Sequence, residues 1–160
     1  MTLYRNATAS DRDLVISTWS RSYKDAHAAG MIASEDWPTI MHAQIGKLLD
    51  RPTSRTIVAY EPPDFLYGFI SGDLSGPLPM IWYVYVKGPY RSAWQTGTPS
   101  ARSGPRHARG LFKALGVDPG ATFLYACKTA IVPTLHRKIP NAKFAPAAAR
   151  YTNYQQEIER

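Results

Sequence analysis

The segment over residues 81–115 constrains the fold of this chain more than any other part of the sequence. A continuous apolar run, Ile81-Trp82-Tyr83-Val84-Tyr85-Val86, ends at Lys87-Gly88-Pro89 and leads through Tyr90-Arg91 into a basic loop. A short amphipathic helix follows, Ala108-Arg109-Gly110-Leu111-Phe112-Lys113-Ala114-Leu115. The amino terminus of a helix offers unpaired N–H groups and the positive end of the helix dipole, so a strand that leads through cations into a helix is typical of an anion site. The segment therefore predicts a ligand that carries phosphate.

Positive charge is concentrated in the second half of the chain. The net charge is +7, with 19 Lys and Arg against 12 Asp and Glu. Residues 87–150 contain eleven of the basic residues and a single acid, Asp118, whereas residues 1–86 are slightly acidic. This asymmetry favours an anionic partner for the 87–150 region, either a phosphorylated cofactor or nucleic acid. A basic surface that serves only solubility is the alternative.

The composition and residue patterns exclude several classes of protein. A chain of 160 residues with 44% hydrophobic residues fits one soluble domain, 1–160. The single cysteine, Cys127, excludes an internal disulfide framework, and the four histidines have no ligand spacing, so no metal site is expected. No apolar run approaches the roughly 20 residues that span a bilayer, and the beginning of the sequence does not resemble a signal peptide. We therefore expect no membrane contact and a cytoplasmic location.

Hydrophobic periodicity and turn residues predict the order β-α-α-β-β-β-α-β-α-β, which indicates a mixed α/β sheet. The short connection between the second and third strands predicts an antiparallel pair. Strict alternation in the fourth strand would place Trp82, Val84 and Val86 on one face. The predicted strands cover 3–5, 56–60, 65–72, 81–86, 122–127 and the residues from 143 onward, and the predicted helices cover 11–30, 34–51, 107–115 and 132–138.

The loop over residues 92–106 is the one long stretch of low hydrophobicity. At roughly fifteen residues it exceeds the usual length of a connection, which indicates a functional or a mobile segment. Aromatic side chains beside Lys87, Arg91, Arg102 and Arg106 would also suit stacking on nucleic-acid bases or on an adenine ring. Core packing is the simpler interpretation of most of these aromatic residues.

The order of elements resembles that of the GNAT acyltransferases, the superfamily of acetyl-CoA-dependent N-acetyltransferases. The resemblance covers most of the chain and implies a mixed, mostly antiparallel central sheet flanked by helices. It depends on the order and spacing of short motifs: Tyr4-Arg5-Asn6-Ala7-Thr8 with Asp11, Ile57-Val58-Ala59-Tyr60, Tyr67-Gly68-Phe69-Ile70, Val84-Tyr85-Val86 with Tyr90-Arg91, Ala108-Arg109-Gly110-Leu111-Phe112, and Thr134-Leu135-His136-Arg137-Lys138-Ile139-Pro140.

The resemblance implies transfer of an acetyl group from acetyl-CoA, or another acyl-CoA, to an amine. His136 aligns with the tyrosine that commonly protonates the leaving thiolate in the family, although a histidine on a basic surface is the alternative. For the base that deprotonates the amine, Asp73 directly follows a predicted strand and is the candidate, whereas Glu61 and Asp64 fit a Pro-Pro turn. The implied cofactor-binding residues are Val84, Tyr85 and Val86 for the pantetheine arm, and Tyr90, Arg91, Gly104, Arg106, Ala108 and Arg109 for the pyrophosphate.

Two features depart from the family pattern and leave alternatives open. Residues 92–107 separate the Tyr-Arg pair from the helix, and Arg106 stands where the family has a glycine that lets phosphate approach the backbone. The alternative is therefore a catalytically degenerate GNAT-fold protein, similar to compact proteins of bacteriophages, that contacts nucleic acid or a virion protein through residues 87–150. Acylation of a nucleobase is a third hypothesis.

Overall fold

The computed structural model describes residues 1–27, 35–88, 90, 104–118, 120–126 and 141–144. Six further segments lie outside this description, and among the predicted features they contain residues 92–103 of the long loop and the predicted helix around His136. The elements of the described residues are, in chain order, β1 (Leu3–Asn6), α1 (Ala9–His27), α2 (Trp37–Leu49), β2 (Ser54–Glu61), β3 (Phe65–Asp73), β4 (Met80–Val86), α3 (Gly104–Leu115), β5 (Phe123–Tyr125) and β6 (Ala142–Phe144).

The strands form one sheet in the order β1-β2-β3-β4-β5-β6. The first four strands pair antiparallel, and β4–β5 and β5–β6 pair parallel. The three-residue connection between β2 and β3 can only reverse the chain, whereas the passage from β4 to β5 includes a helix and returns the chain in the same direction. The predicted fold class, a mixed and mostly antiparallel sheet flanked by helices, is confirmed.

Both faces of the sheet are covered by helices. On one face α3 buries Leu111, Phe112 and Leu115 against residues of β2 to β5. On the other face α1 and α2 bury a second core rich in aromatic residues, in which the rings of Trp19 and Tyr83 stack with centroids 5.2 Å apart. The sheet therefore holds α3 and the α1–α2 pair on opposite faces.

A β-bulge changes the expected facing of β4. Ser71 of β3 pairs with Tyr83, and the next residue, Gly72, pairs with Ile81, so Trp82 is one residue too many in the ladder. Trp82 and Tyr83 consequently both lie in the α1–α2 core, whereas Val84 and Val86 pack on the α3 side. The expectation that Trp82 shares a face with Val84 and Val86 is wrong, because alternation alone does not reveal the pairing register.

Several predicted boundaries also differ from the structure. Helix α3 begins at Gly104 rather than near 107, because Pro105 in the first turn has a backbone angle suited to a helix start. Helix α2 begins at Trp37 rather than at 34, with Asp36 in the position before its first residue and without a side-chain capping hydrogen bond. Helix α1 begins at Ala9, since Asp11 accepts hydrogen bonds from the backbone and side chain of Thr8 and so closes the first turn.

Candidate cofactor site at the carboxyl end of β4

One end of the sheet brings together the end of β4, the beginning of β3 and the beginning of α3. Val86, the last residue of β4, lies opposite Gly68 of β3, and the N–H of Lys87 donates to the carbonyl of Tyr67 at 2.8 Å. The N–H of Tyr90 donates back to the carbonyl of Lys87 at 2.9 Å, so the chain turns directly after the strand. This geometry fixes the direction in which the backbone leaves β4.

Gly68 is required for the close approach of β3 and β4 at this end. A Cβ atom at position 68 would lie 2.1 Å from the carbonyl oxygen of Tyr85 and 2.9 Å from the Cα atom of Val86. Both atoms belong to backbone in the sheet and have no freedom to move away. The glycine in the predicted Tyr67-Gly68-Phe69-Ile70 motif therefore has a packing reason.

Strand β4 continues well beyond its pairing with β5. The parallel register covers only Met80 with Leu124 and Ile81 with Tyr125, and the N–H of Ala126 donates to the carbonyl of Ile81 at 3.0 Å. Residues 82–86 extend past this last pairing, and of these 83–86 stay in register with β3. Within the described residues, β4 and β5 are therefore paired at the beginning of β4 and not at its carboxyl end.

The first turn of α3 supplies backbone donors at the same end. The N–H groups at the beginning of a helix have no intrahelical acceptor, and Pro105 has none to offer, so the donors among the described residues come from Gly104 and Arg106. The helix lies close to β1, since a Cβ atom at Gly110 would be 2.0 Å from the hydroxyl of Tyr4. Arg109 is exposed on this helix, and Ala108 packs against the α3 core.

An aromatic cluster joins the beginning of α3 to β3 and to the turn after β4. The imidazole of His107 stacks on the ring of Tyr67, with centroids 4.5 Å apart and an angle of 13° between the planes. The ring of Tyr90 meets both of these side chains edge-on, at 4.8 Å from Tyr67 and 5.8 Å from His107. Phe65 extends the cluster to the surface, where the ammonium of Lys87 lies 4.6 Å from its ring centroid.

His107 is the buried polar group of this cluster. Its side chain is 4% exposed, and within the described part of the chain neither Nδ1 nor Nε2 has a hydrogen-bond partner. Leaving a buried polar group without a partner costs about 1–3 kcal/mol. Burial lowers the pKa of the imidazole, and the charge of Glu61 only partly opposes that effect. His107 is therefore neutral in this structure at neutral pH.

Glu61 and Tyr67 form a hydrogen-bonded pair at the edge of the cluster. The hydroxyl of Tyr67 donates to Oε2 of Glu61, and the amino group of Met1 lies 2.8 Å from Oε1 of the same carboxylate. The hydrogen bond to Glu61 raises the pKa of Tyr67 to about 12. The amino group and then Tyr67 lower the pKa of Glu61, so the carboxylate is charged at neutral pH.

The structure brings part of the predicted cofactor-binding set together. Val84, Tyr85 and Val86 lie on the part of β4 beyond its pairing with β5, and Tyr90 closes the turn that follows. Of the predicted residues on α3, Gly104 and Arg106 are in the first turn, and Ala108 and Arg109 follow directly. Arg91 and His136 lie outside the described residues, so their predicted roles stay predictions.

Asp73 is held in a network of its own, at the opposite end of β3 from Tyr67 and Tyr90. It lies opposite Met80, in the part of β4 that pairs with β5, and its side chain is 7% exposed. Its oxygens accept hydrogen bonds from Thr53 Oγ1 at 2.7 Å and from the N–H and Oγ of Ser75 at 2.8 and 2.6 Å. Burial alone would raise the pKa of Asp73, but these hydrogen bonds outweigh it and lower the pKa. A carboxylate so engaged is a weak base, and the predicted role of Asp73 as the base stays a prediction.

A cavity lies at the opposite end of the sheet from Tyr67 and Tyr90. It has a volume of about 530 Å³ and is lined by residues from the β1–α1 connection, α1, the end of α2 and the beginning of β2, among them Arg12 and Arg55. Arg12 is already paired with Asp50, at 2.9 Å. Because β2 and β4 run in the same direction in the sheet, the beginning of β2 is remote from the carboxyl end of β4. Its size alone does not connect this cavity with the residues of the predicted phosphate site.

Sequence reasoning missed the contribution of His107, Tyr67 and Glu61 to this end of the sheet. The signal for His107 was present, since His107, Leu111 and Leu115 recur at a spacing of four and so lie on one face of α3. A histidine on the apolar face of a helix at a predicted anion site merited attention. The Tyr67–Glu61 contact had no such signal, because it depends on the turn between β2 and β3.

Comparison with known structures identifies the fold. The sequence matches no protein-family model and no curated protein at a significant level. The structure is similar to a predicted acetyltransferase from Clostridium acetobutylicum solved with acetyl-CoA, with a TM-score of 0.50, 14% identity, and coverage of 86% of this chain and 88% of that one. It is also similar to a candidate acetyltransferase from Pyrococcus furiosus (TM-score 0.51, 14% identity, coverage 86% and 91%) and to the candidate acetyltransferase YycN from Bacillus subtilis (TM-score 0.52, 13% identity, coverage 97% and 87%). The chain therefore has the fold of the GNAT acetyltransferases.

Proposed function

We propose that this protein is an acetyl-CoA-dependent N-acyltransferase that transfers an acetyl group to an amine. One observation carries the proposal: the first turn of α3 and the turn after β4 meet at the carboxyl end of β4, beyond the pairing of β4 with β5. In a sheet with this strand order, that juxtaposition offers an extended backbone beside a cluster of amide donors. An extended arm that ends in phosphates, such as the pantetheine arm of coenzyme A, has the matching shape and charge.

The residues present fit such a cofactor. The first-turn amides and the helix dipole of α3 favour a phosphate group, and the exposed Arg109 adds positive charge on the same helix. The two nitrogens of His107, which are buried and have no hydrogen-bond partner among the described residues, supply a further polar group in that first turn. Arg106 stands where the family has a glycine, but Gly104, the first residue of α3, lies two residues earlier. The first turn of the helix therefore still contains a glycine.

In this proposal β4 binds the pantetheine arm, α3 binds the pyrophosphate, and the amine approaches the sheet from the α1 face. When bound, acetyl-CoA would supply the acetyl group as an activated thioester. The backbone at Val84, Tyr85 and Val86 would bind and orient the pantetheine arm, and the first turn of α3 would bind the pyrophosphate. Because the α3 face of β4 is filled by core side chains, the amine would approach from the α1 face, where a cavity of about 50 Å³ lies beside Tyr85.

The alternative, a catalytically degenerate protein that contacts nucleic acid or a virion protein, depends on the loop over residues 92–106. Residues 92–103 of that loop lie outside the described residues, residues 104–106 belong to α3, and no contact within the described residues favours this alternative. Binding of acetyl-CoA without turnover on any amine would support it, whereas turnover would contradict it.

Isothermal titration calorimetry with acetyl-CoA tests the proposal. We expect saturable binding with a dissociation constant on the order of micromolar, the range of many enzyme–substrate pairs. Absence of binding at millimolar acetyl-CoA would overturn the proposal. Release of free thiol in the presence of a panel of primary amines then tests for transfer of the acetyl group.

Charge reversal on α3 links the binding to the proposed site. Arg109→Glu places a negative charge on the helix that carries the phosphate site, and we expect affinity to fall by roughly 3- to 10-fold. Lys47→Glu is the matched control, since Lys47 is exposed on α2 on the opposite face of the sheet. Equal effects of the two substitutions would place the anion elsewhere.

A further inference from the structure

We propose that His107 is an anion-binding residue that takes up a proton when a phosphate group binds at the beginning of α3. Ligand binding and protonation of this imidazole would then be coupled. The inference rests on the proposed function in its choice of ligand, coenzyme A, and goes beyond it by assigning proton uptake to His107, which that function uses only as a polar group.

The position of His107 supports this coupling. It is the fourth residue of α3, and the Cα–Cβ bonds of a helix tilt toward the amino terminus. The Cα–Cβ bond of His107 therefore tilts toward the turn that contains Gly104 and Arg106, where an anion would bind. The helix is 12 residues long, so its dipole and amide donors are well developed at this end.

The described residues around His107 give its nitrogens no hydrogen-bond partner but hold its ring in place. One face of the ring stacks on Tyr67, Tyr90 meets it edge-on, and the side chain is 4% exposed. Neither Nδ1 nor Nε2 has a hydrogen-bond partner among the described residues. A bound phosphate oxygen would give one nitrogen an acceptor for its proton, and a second proton on the ring would complete a charge-assisted pair.

The groups that face the imidazole favour a neutral ring without ligand and a charged ring with ligand. They are Glu61 from β2, Tyr67 from β3 and Tyr90 from the turn after β4. Burial lowers the pKa of His107, and the single carboxylate of Glu61, which is engaged by Tyr67, only partly restores it. Lys87 lies over the ring of Phe65, and Arg109 is exposed on α3. An added phosphate would therefore shift the balance of charge around the ring toward protonation.

The first measurement follows the His107 ring by NMR in the wild-type protein. The pKa of His107 is measured without ligand, with coenzyme A and with inorganic pyrophosphate. We expect the pKa to rise by about one unit with either ligand, which corresponds to about tenfold tighter binding to the protonated form. An unchanged pKa in the presence of saturating ligand overturns the inference.

The second measurement compares affinities at pH 6 and pH 8 for the wild type, His107→Phe and His107→Gln. His107→Phe keeps an aromatic ring for stacking, and His107→Gln keeps a neutral polar group, so at least one folded variant is expected. The phosphates of the ligand also titrate in this range, but that contribution is common to all proteins and cancels in the ratios. We expect the wild-type advantage over either variant to be ~3- to 10-fold larger at pH 6 than at pH 8. His42→Gln, in which an exposed histidine of α2 is replaced, is the control and should behave as the wild type.

The outcomes separate this inference from the proposed function. Tight binding of coenzyme A with the same pH dependence in the wild type and both His107 variants would overturn the inference and leave the function standing. Binding of pyrophosphate with the expected pH dependence, but none of coenzyme A, would overturn the function and support the inference. Absence of binding of both ligands would overturn both.

Discussion

Asp11 contributes to the stability of the fold through its hydrogen bonds between β1 and the beginning of α1. Its carboxylate accepts hydrogen bonds from the guanidinium of Arg5 at 2.5 and 3.1 Å and from the backbone and hydroxyl of Thr8. The hydrogen bond from Arg5 is the largest influence and lowers the pKa of Asp11 to about 2, against the opposing effect of burial. The side chain therefore ties β1 to the first turn of α1 while it stays charged.

Replacing Asp11 should destabilise the protein in a pH-dependent way. We expect Asp11→Asn to lower the free energy of unfolding by about 2 kcal/mol at pH 7, because the ordinary and folded pKa values differ by nearly two units. Since the folded pKa is lowered, this contribution is complete above pH ~4 and is lost as the pH falls toward 2. Urea unfolding at several pH values measures the difference.

The pair between Arg12 and Asp50 provides the matched control for that prediction. Asp50 is 67% exposed at the end of α2, and exposed ion pairs contribute roughly 0–1 kcal/mol. We therefore expect Asp50→Asn to change the stability by less than about 1 kcal/mol. An effect of Asp50→Asn as large as that of Asp11→Asn would contradict the distinction between a buried cap and a surface pair.

Asp73 separates an anchoring role from a catalytic one. Its hydrogen bonds with Thr53 and Ser75 connect the end of β3 with the residue before β2 and with the loop that follows β3. We expect Asp73→Asn to lower the melting temperature by several degrees, because an amide cannot accept all three hydrogen bonds equally well. If the anchoring role is its only one, kcat at saturating amine should fall less than tenfold; a loss of 100-fold or more in a folded variant would support the predicted role as base.

At the scale of elements, the placement of α3 on the sheet decides whether the proposed site exists. The helix contacts β1 through Gly110 and Tyr4, and β3 through His107 and Tyr67. These two contacts lie about one turn apart along α3. Together they hold the first turn of the helix beside the carboxyl end of β4.

Gly110→Ala tests this placement. In a helix interior, alanine in place of glycine ordinarily stabilises by about 1 kcal/mol. Here the added Cβ atom would lie 2.0 Å from the hydroxyl of Tyr4 and 2.2 Å from Cζ, so the ring or the helix must move, which costs about 1–3 kcal/mol. We expect a net loss of stability and weaker binding of acetyl-CoA, measured by thermal unfolding and calorimetry.

Gly46→Ala in α2 is the matched control for Gly110→Ala. The added Cβ atom would meet only the end of the flexible Arg12 side chain, at 3.3 Å. The helix propensity of alanine should therefore dominate, and we expect Gly46→Ala to be neutral or stabilising. Equal destabilisation by both substitutions would contradict a specific α3–β1 contact.

The elements themselves were largely predictable from the sequence, and the details of the site were not. Apolar periodicity and turn residues predict the strands and helices found in the described residues, since each pattern requires one buried face. The bulge at Trp82 was not predictable, because it depends on how β3 and β4 pair. The start of α3 was missed since Gly104-Pro105 resembles a loop, although proline also suits the first turn of a helix.

At the scale of the whole molecule, charge and fold point to the same end of the sheet. The acidic first half of the sequence supplies β1 to β4, and the basic region from residue 87 onward includes α3 and the turn before it. An anionic ligand is therefore expected at the junction between the two halves, which is also the carboxyl end of β4.

No helix among the described residues is long and apolar enough to cross a membrane.

Mapping acetyl-CoA on the protein by backbone NMR tests this central claim most directly. Titration of labelled protein should shift the amide signals of Val84, Val86 and Tyr90 and those of Gly104, Arg106 and His107. The signals of Ser54, Arg55 and Thr56, which line the cavity of about 530 Å³ at the opposite end, should stay unchanged. Shifts confined to that cavity, or none at saturating acetyl-CoA, would contradict a cofactor site between β4 and α3.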